Sequence, residues 1–356
     1  MQHQNFSITK DGFGIHTFEL NMLCITNKRL RKIMKHIAKN NINHFNIPNS
    51  RNLVIYPSQE GMRVHLICAP NGINEIKVIV SPAKILDENA EPTAILTKGC
   101  DFNRLHQLVN STIAEALGKD YRMDSFYLSR IDLCVNIMLS ETYSAERYIK
   151  LIKRSMKYSK YDEVDEFNSD KPNSYNKNKH SFRIKTGMLV FTAYDKYFQL
   201  DDIGKNYDTM SKGMLRLEIA VDRENICKAE RTCNFTENIH TLEGYAQVSR
   251  DVFIDYIQKH FCKGSYYCLT AMRKMINESS FSRKTKSNML TFAESQFSRK
   301  SFRSAKEHII KELDSKSTCR KIMEHFEILN MNPMSLAHRD KHGEEVIPGL
   351  YELLGI

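Results

Sequence analysis

The chain has no tryptophan, no Cys-x-x-Cys pair, no glycine-rich phosphate loop and no run of 18 consecutive apolar residues. The missing tryptophan decides nothing, but the other absences each exclude a class. Without a long apolar run or a basic-then-apolar start, nothing points to membrane insertion or secretion. Nine cysteines, an odd number scattered from Cys24 to Cys319, fit reduced thiols in a cytosol better than a disulfide framework. Without paired thiol ligands zinc is not expected. The missing phosphate loop removes sequence support for ATP or dinucleotide binding, and no repeat of solenoid period occurs.

What is present is an ordinary globular mixture, 356 residues with 41% apolar and 26% charged, long enough for two domains. The net charge of +10 attracts polyanions, nucleic acid above all. Short strand patterns fill residues 12–25 and 50–82, and Pro70-Asn-Gly-Ile73 reads as a hairpin turn pairing 62–69 with 75–80. Between them, Asn27 to Asn41 has helical periodicity with Lys28, Arg29, Lys32, Lys35 and Lys39 on one side. That face either lies along DNA or is simply solvated. Asp101 caps a second helix running to Leu117; His106 within it reads as a surface or packing residue.

Three later strands carry a polar pair in a common format. Phe126 to Leu139 alternates so that Arg130, Asp132 and Cys134 share one face and Ile131, Leu133 and Val135 the other. Leu189 to Leu200 reads as a strand with Thr192, Tyr194 and Lys196 on one face, and Met214 to Val221 as a strand with Arg216 and Glu218 opposite its apolar side. A helix is expected from Ser144 to Tyr158. The polar loop Ser169 to Ser181, with Lys171, Tyr175, Lys177 and Lys179, mixes charge and an aromatic ring as single-strand binders do, or is a plain surface loop. Beyond about residue 235 the patterns turn helical, at 252–261, 269–278, 288–296, 298–314 and 318–329. Ser298 is a candidate N-cap for a basic first turn compatible with a helix-turn-helix. His338 and His342 have the i, i+4 spacing of metal ligands but no partner motif, and read as surface residues.

The fold expected is α+β: a central, mainly antiparallel sheet backed by helices in a catalytic domain over 1–235, followed by an all-helical DNA-binding or accessory domain over 236–356. If the three polar pairs share one sheet face, Asp132 and Glu218 form a hard oxygen site for Mg²⁺ or Mn²⁺, and Tyr194 is placed to attack a phosphate. A phenol is a poor nucleophile at neutral pH and needs a neighbouring cation or base, a role open to Lys196. Taken singly, a tyrosine in a strand is packing and an Arg–Asp pair is a surface ion pair.

Ile79-Val-Ser-Pro-Ala-Lys-Ile-Leu86, Leu128-Ser-Arg-Ile-Asp132, Ala193-Tyr-Asp-Lys196 and Leu215-Arg-Leu-Glu218 resemble, in order and spacing, the filamentous-phage gene II replication initiators, the phage/plasmid replication protein II/X family. The resemblance covers roughly residues 60–225, and plasmid initiators of related type share the R-x-D, Y-x-K and R-x-E order. It implies a rolling-circle initiator: a metal-dependent, site-specific nickase that stays on the 5′-phosphate through Tyr194, leaves a 3′-hydroxyl primer and later rejoins the strand. The implied partners are origin DNA and a host helicase and polymerase, in the cytoplasm of a bacterial cell. The implied site has Tyr194 and Lys196 in catalysis and Asp132 and Glu218 on the metal. Arg130, Arg216, Lys84, Lys177, Lys179, Arg183, Arg299, Lys300 and Arg303 are the DNA contacts expected. Many rolling-circle enzymes hold metal with a His-hydrophobic-His strand; here Arg63-Val-His65 offers one His, so the carboxylates suffice or His65 helps. Tyr197 would replace Tyr194 if the strand were bulged. The competing readings are a non-catalytic origin- or single-strand-binding protein and a hydrolytic metal-dependent nuclease.

Overall fold

The computed structural model describes residues 6–48, 50, 52–68, 74–140, 143–157, 162–163, 180–186, 189–202, 211–299, 302–336 and 345–356. Ten strands form one antiparallel sheet: β1 (Phe6–Ile25), β2 (His44–Asn46), β3 (Leu53–Ile55), β4 (Met62–Cys68), β5 (Asn74–Val80), β6 (Tyr127–Leu139), β7 (Asp162–Glu163), β8 (Ser181–Thr186), β9 (Leu189–Asp195) and β10 (Met214–Asp222). Their spatial order is β2-β3-β4-β5-β1-β6-β10-β9-β8-β7. The α+β class and the antiparallel sheet are as expected from sequence. The β4–β5 pairing is the expected hairpin, while its turn lies outside the described residues.

Twelve α-helices are seen among the described residues. They are α1 (Asn27–Lys39), α2 (Pro82–Leu86), α3 (Phe102–Leu117), α4 (Ala145–Arg154), α5 (Lys196–Asp202), α6 (Arg223–Cys233), α7 (Asn238–His260), α8 (Leu269–Glu278), α9 (Arg283–Arg299), α10 (Phe302–Leu313), α11 (Lys316–Ile328) and α12 (Leu350–Leu353). Local chemistry sets several of their starts. Thr26 caps α1 through Arg29 N, Asp101 caps α3 through Arg104 N, and Ser144 caps α4 through Arg147 N. A two-stranded ribbon of β11 (Tyr266–Tyr267) and β12 (Val346–Ile347) accompanies the C-terminal helices.

Alternation along the central strands separates two faces. Phe18, Leu20, Ile131, Leu133, Val135, Phe191, Leu217 and Ile219 are buried on one side, in a core continuous with α3, α4 and α7. Phe13 meets Phe253 edge-on at 5.6 Å, and Phe191 lies 5.6 Å from Tyr256 and 5.1 Å from Phe261. Helix α7 and the residue that follows it therefore cover part of the apolar face of the sheet.

Three elements differ from the sequence reading. The strand expected to run to Leu200 stops at Asp195, whose carboxylate accepts the Phe198 N–H at 3.2 Å and opens α5. Ser298 lies inside α9 rather than at a helix start, because α9 continues from Arg283 to Arg299. Helix α7 begins at Asn238, far ahead of 252; Asn238, Thr241 and Ser249 lie on its buried face, so that face does not read as an apolar stripe in the first half.

Candidate active site

Register brings the three polar pairs together. On β10, Arg216 stands opposite Tyr194 of β9 and Asn136 of β6, while Glu218 stands opposite Thr192 and Cys134. Asp132 faces Ala220, one step along the same face from Glu218. Diagonal neighbours of this kind are about 7–8 Å apart at the backbone, within reach of long side chains.

The fourth contributor comes from β1. Ile15 pairs with Leu133 and Thr17 with Asp132, so one residue of β6 is matched by two of β1 and His16 is the extra one, a bulge. The bulge lets both His16 and Thr17 line the polar cavity. Just before it, the Ile15 N–H and C=O exchange 2.8 Å hydrogen bonds with Leu96, and any Cβ on Gly14 would collide with the Leu96 carbonyl oxygen. Glycine is required there so that the 93–96 segment can lie against β1.

The centre of the site is the Glu218 carboxylate. The Tyr194 hydroxyl donates to Glu218 Oε1 at 2.6 Å, His16 Nδ1 lies 3.0 Å from that oxygen, and Arg216 Nη1 lies 3.9 Å from it. A carboxylate cannot donate, so the proton between them sits on His16 Nδ1, and Nε2 keeps its lone pair. Asp132 accepts from Arg130 Nε at 2.6 Å and from the Thr17 hydroxyl. His16, Thr17, Asp132, Tyr194 and Glu218 line a cavity of about 420 Å³ with His180, Arg183 and Thr192.

Burial and pairing set the charges. Burial opposes ionisation of Glu218, but His16, Arg216 and the Tyr194 hydroxyl outweigh it and hold its pKa below the usual carboxylate range. Burial pushes Asp132 up to about 6 despite Arg130, with Glu218 adding repulsion. Burial also lowers His16, so its imidazole is neutral at neutral pH. Tyr194 is pushed well above 10, by burial first and then by the Glu218 charge, so it rests as a phenol.

The expected phosphate contacts divide. Arg183 lines the cavity. Arg216 is wholly buried rather than presented to phosphate: Nε donates to Asn136 Oδ1 at 2.6 Å and Nη2 to the Thr93 carbonyl at 2.7 Å. Its place is behind Glu218, as a fixed positive charge. Arg130 is engaged by Asp132 and by Glu19 at 3.6 Å. Lys196, on α5 instead of the strand, is buried, donates to Gln199 Oε1 at 2.8 Å and stands 5.9 Å from the centre of the Tyr194 ring. Lys84 pairs with Glu60 at 3.6 Å and Arg303 with Glu307 at 2.9 Å, neither at the cavity. Lys177, Lys179, Lys300, His338 and His342 lie outside the described residues, as does the side chain of Arg299. Tyr197 is 41% exposed on α5, away from the cavity lining. His65 on β4 is likewise not among the cavity residues.

Sequence reading missed His16. A histidine after Gly-x in a strand carries no motif, and the bulge that turns it inward depends on pairing with β6. Among the described residues no group of three or more His, Cys, Asp or Glu side chains is gathered closely enough to enclose a metal ion. The donor types nonetheless fit a hard divalent cation: an ionised Glu218, a neutral His16 and Asp132 share one cavity.

No helix among the described residues is long and apolar enough to cross a membrane. No protein-family model matches the chain, and no curated protein matches it.

Proposed function

We propose that this chain is a DNA nickase and strand transferase that initiates rolling-circle replication, with Tyr194 as the nucleophile. The observation that carries the reading is the Tyr194 hydroxyl held 2.6 Å from an ionised, half-buried Glu218 in a cavity that also holds His16 and Asp132. A tyrosine kept for packing does not need an ionised carboxylate as its acceptor.

In the proposed reaction the Tyr194 oxygen attacks the scissile phosphorus, and the P–O3′ bond breaks. Glu218 Oε1 orients the phenol through its hydrogen bond; the phenol proton leaves to the site or solvent as the new P–O bond forms, and the departing 3′-oxygen takes one up in the same way. The product is a 5′-phosphotyrosine and a 3′-hydroxyl. Because the phosphodiester energy is retained in the adduct, attack by a 3′-hydroxyl reverses the step without ATP. Arg216, fixed by Asn136 and Thr93, keeps Glu218 charged and aligned. Arg183 supplies positive charge at the cavity, and buried Lys196 adds a fixed positive charge behind the Tyr194 ring. Mg²⁺ or Mn²⁺, held by Glu218, Asp132 and His16, would polarise the phosphate oxygens when bound. Origin DNA, single-stranded at the nick, is the substrate, and the cytoplasm of a bacterial cell the setting.

The test is covalent capture. Protein, Mg²⁺ and single-stranded oligonucleotides are incubated, and the DNA-linked residue is located by mass spectrometry. Attachment at Tyr194, lost in Tyr194→Phe and kept in Tyr197→Phe, is the expected result. Cleavage without any adduct would make the protein a hydrolytic nuclease, and binding without cleavage a plain DNA-binding protein.

A further inference from the structure

Helix α1 takes no part in the site above, yet it has the most one-sided charge pattern of any long helix. Its thirteen residues include no acid. Lys28, Arg31, Lys32, Lys35 and Lys39 fall at i, i+3, i+4, i+7 and i+11, one stripe along the helix, and all five are exposed. The opposite side is anchored by buried Ile33 and Ile37. The start of α1 is fixed too, since Asn74 Nδ2 donates to the Ile25 carbonyl at 3.0 Å and to Asn27 Oδ1 at 3.1 Å.

Some surface cations on other helices are neutralised one turn away. Lys228 pairs with Glu224, Lys259 with Asp255, Arg303 with Glu307 and Arg320 with Glu324. None of the five α1 cations makes an ion pair among the described residues. They repel one another instead: Lys28 against Arg31 and Lys32, Arg31 and Lys32 against Lys35, Lys35 against Lys39. Such like-charge pairs destabilise a helix. A solvated face has no use for an arrangement that weakens its own helix.

We propose that the α1 stripe is a docking surface for the phosphate backbone of duplex DNA flanking the nick; this rests on the nickase reading. The stripe spans eleven residues, roughly 16 Å at 1.5 Å per residue, and follows several consecutive phosphates. Strand β1 runs directly from His16 and Thr17 to α1. Eight to nine strand residues cover roughly 25–30 Å, about eight base pairs of duplex at 3.4 Å per step. The catalytic centre would thus take the single strand while α1 grips the double strand beyond it. These contacts carry position and affinity, not sequence.

The test uses the full chain in two forms of equal net charge. One carries Lys28→Gln, Arg31→Gln, Lys32→Gln, Lys35→Gln and Lys39→Gln; the other carries Lys228→Gln, Lys259→Gln, Lys274→Gln, Lys284→Gln and Lys321→Gln. Affinity for a duplex and for a single-stranded oligonucleotide is measured by anisotropy across a salt series. The α1 variant is expected to lower the duplex salt slope by up to about 4.5, at about 0.9 for each phosphate no longer neutralised, and to weaken duplex binding at least tenfold more than the control. Equal losses in both variants, or a loss confined to single-stranded DNA, would overturn the proposal. So would unchanged duplex binding with lost attachment to vesicles containing anionic phospholipid. Tyr194 adduct formation on a single-stranded oligonucleotide should survive in the α1 variant. Its absence in the unaltered chain, with duplex binding intact, would sink the nickase reading while leaving the docking surface standing.

Discussion

At the scale of single residues, the site depends on keeping Glu218 ionised while Asp132 is not fully so. Asp132 rises from the ordinary 3.8 to about 6 on folding, so between these values the native state binds more protons than the unfolded chain. Stability therefore falls as pH rises from about 4 through 6, by up to about 3 kcal/mol. Asp132→Asn should remove this dependence in metal-free protein while abolishing cleavage; urea melts at pH 4, 5, 6 and 7 would show it, and an unchanged profile would mean that another group titrates. Gly14 poses a steric question instead. Gly14→Ala drives a methyl into the Leu96 carbonyl beside the His16 bulge, and should cost about 1–3 kcal/mol. Thermal unfolding measures the cost, and a parallel drop in adduct yield would show that the bulge carries His16 with it.

Elements matter here where they break. Strand β9 ends at Asp195 because its carboxylate caps α5, and that turn withdraws Lys196 into the interior while leaving Tyr194 in the sheet. Asp195→Ala should destabilise α5 by about 1 kcal/mol and slow adduct formation more than it weakens DNA binding, read by single-turnover cleavage against anisotropy. Equal effects on both would place Asp195 in DNA binding. The bulge in β1 is the second break. It adds a residue to one strand only and so puts both His16 and Thr17 at the cavity, where a regular strand would offer one.

Across the whole molecule, one sheet joins the two halves of the chain. Its polar face holds the cavity, and its apolar face is covered in part by α7, through contacts such as Phe13 with Phe253 and Phe191 with Tyr256. A chain ending at residue 235 would expose that face. It should lose fixed tertiary packing and bind a hydrophobic dye, with near-ultraviolet circular dichroism collapsing while the far-ultraviolet signal persists. A native-like spectrum from that fragment would show that the sheet folds without its helical cover.

Much of this was legible in the residues themselves. Period-two alternation marked β6 and β10 and put Asp132, Arg216 and Glu218 on polar faces, because strand side chains alternate whatever the neighbours do. Helical periodicity marked α1 and α4, and Asp101 marked the start of α3, because a cap is a local hydrogen bond. The adjacency of β9, β10, β6 and β1 belongs to the tertiary structure, since pairing between strands far apart in sequence is chosen by the whole core. So do the bulge that brings in His16, the burial that turns Arg216 from a phosphate contact into a support for Glu218, and the break that moves Lys196 into a helix. The order of residues made these side chains available for the chemistry; long-range pairing and burial chose which of them meet.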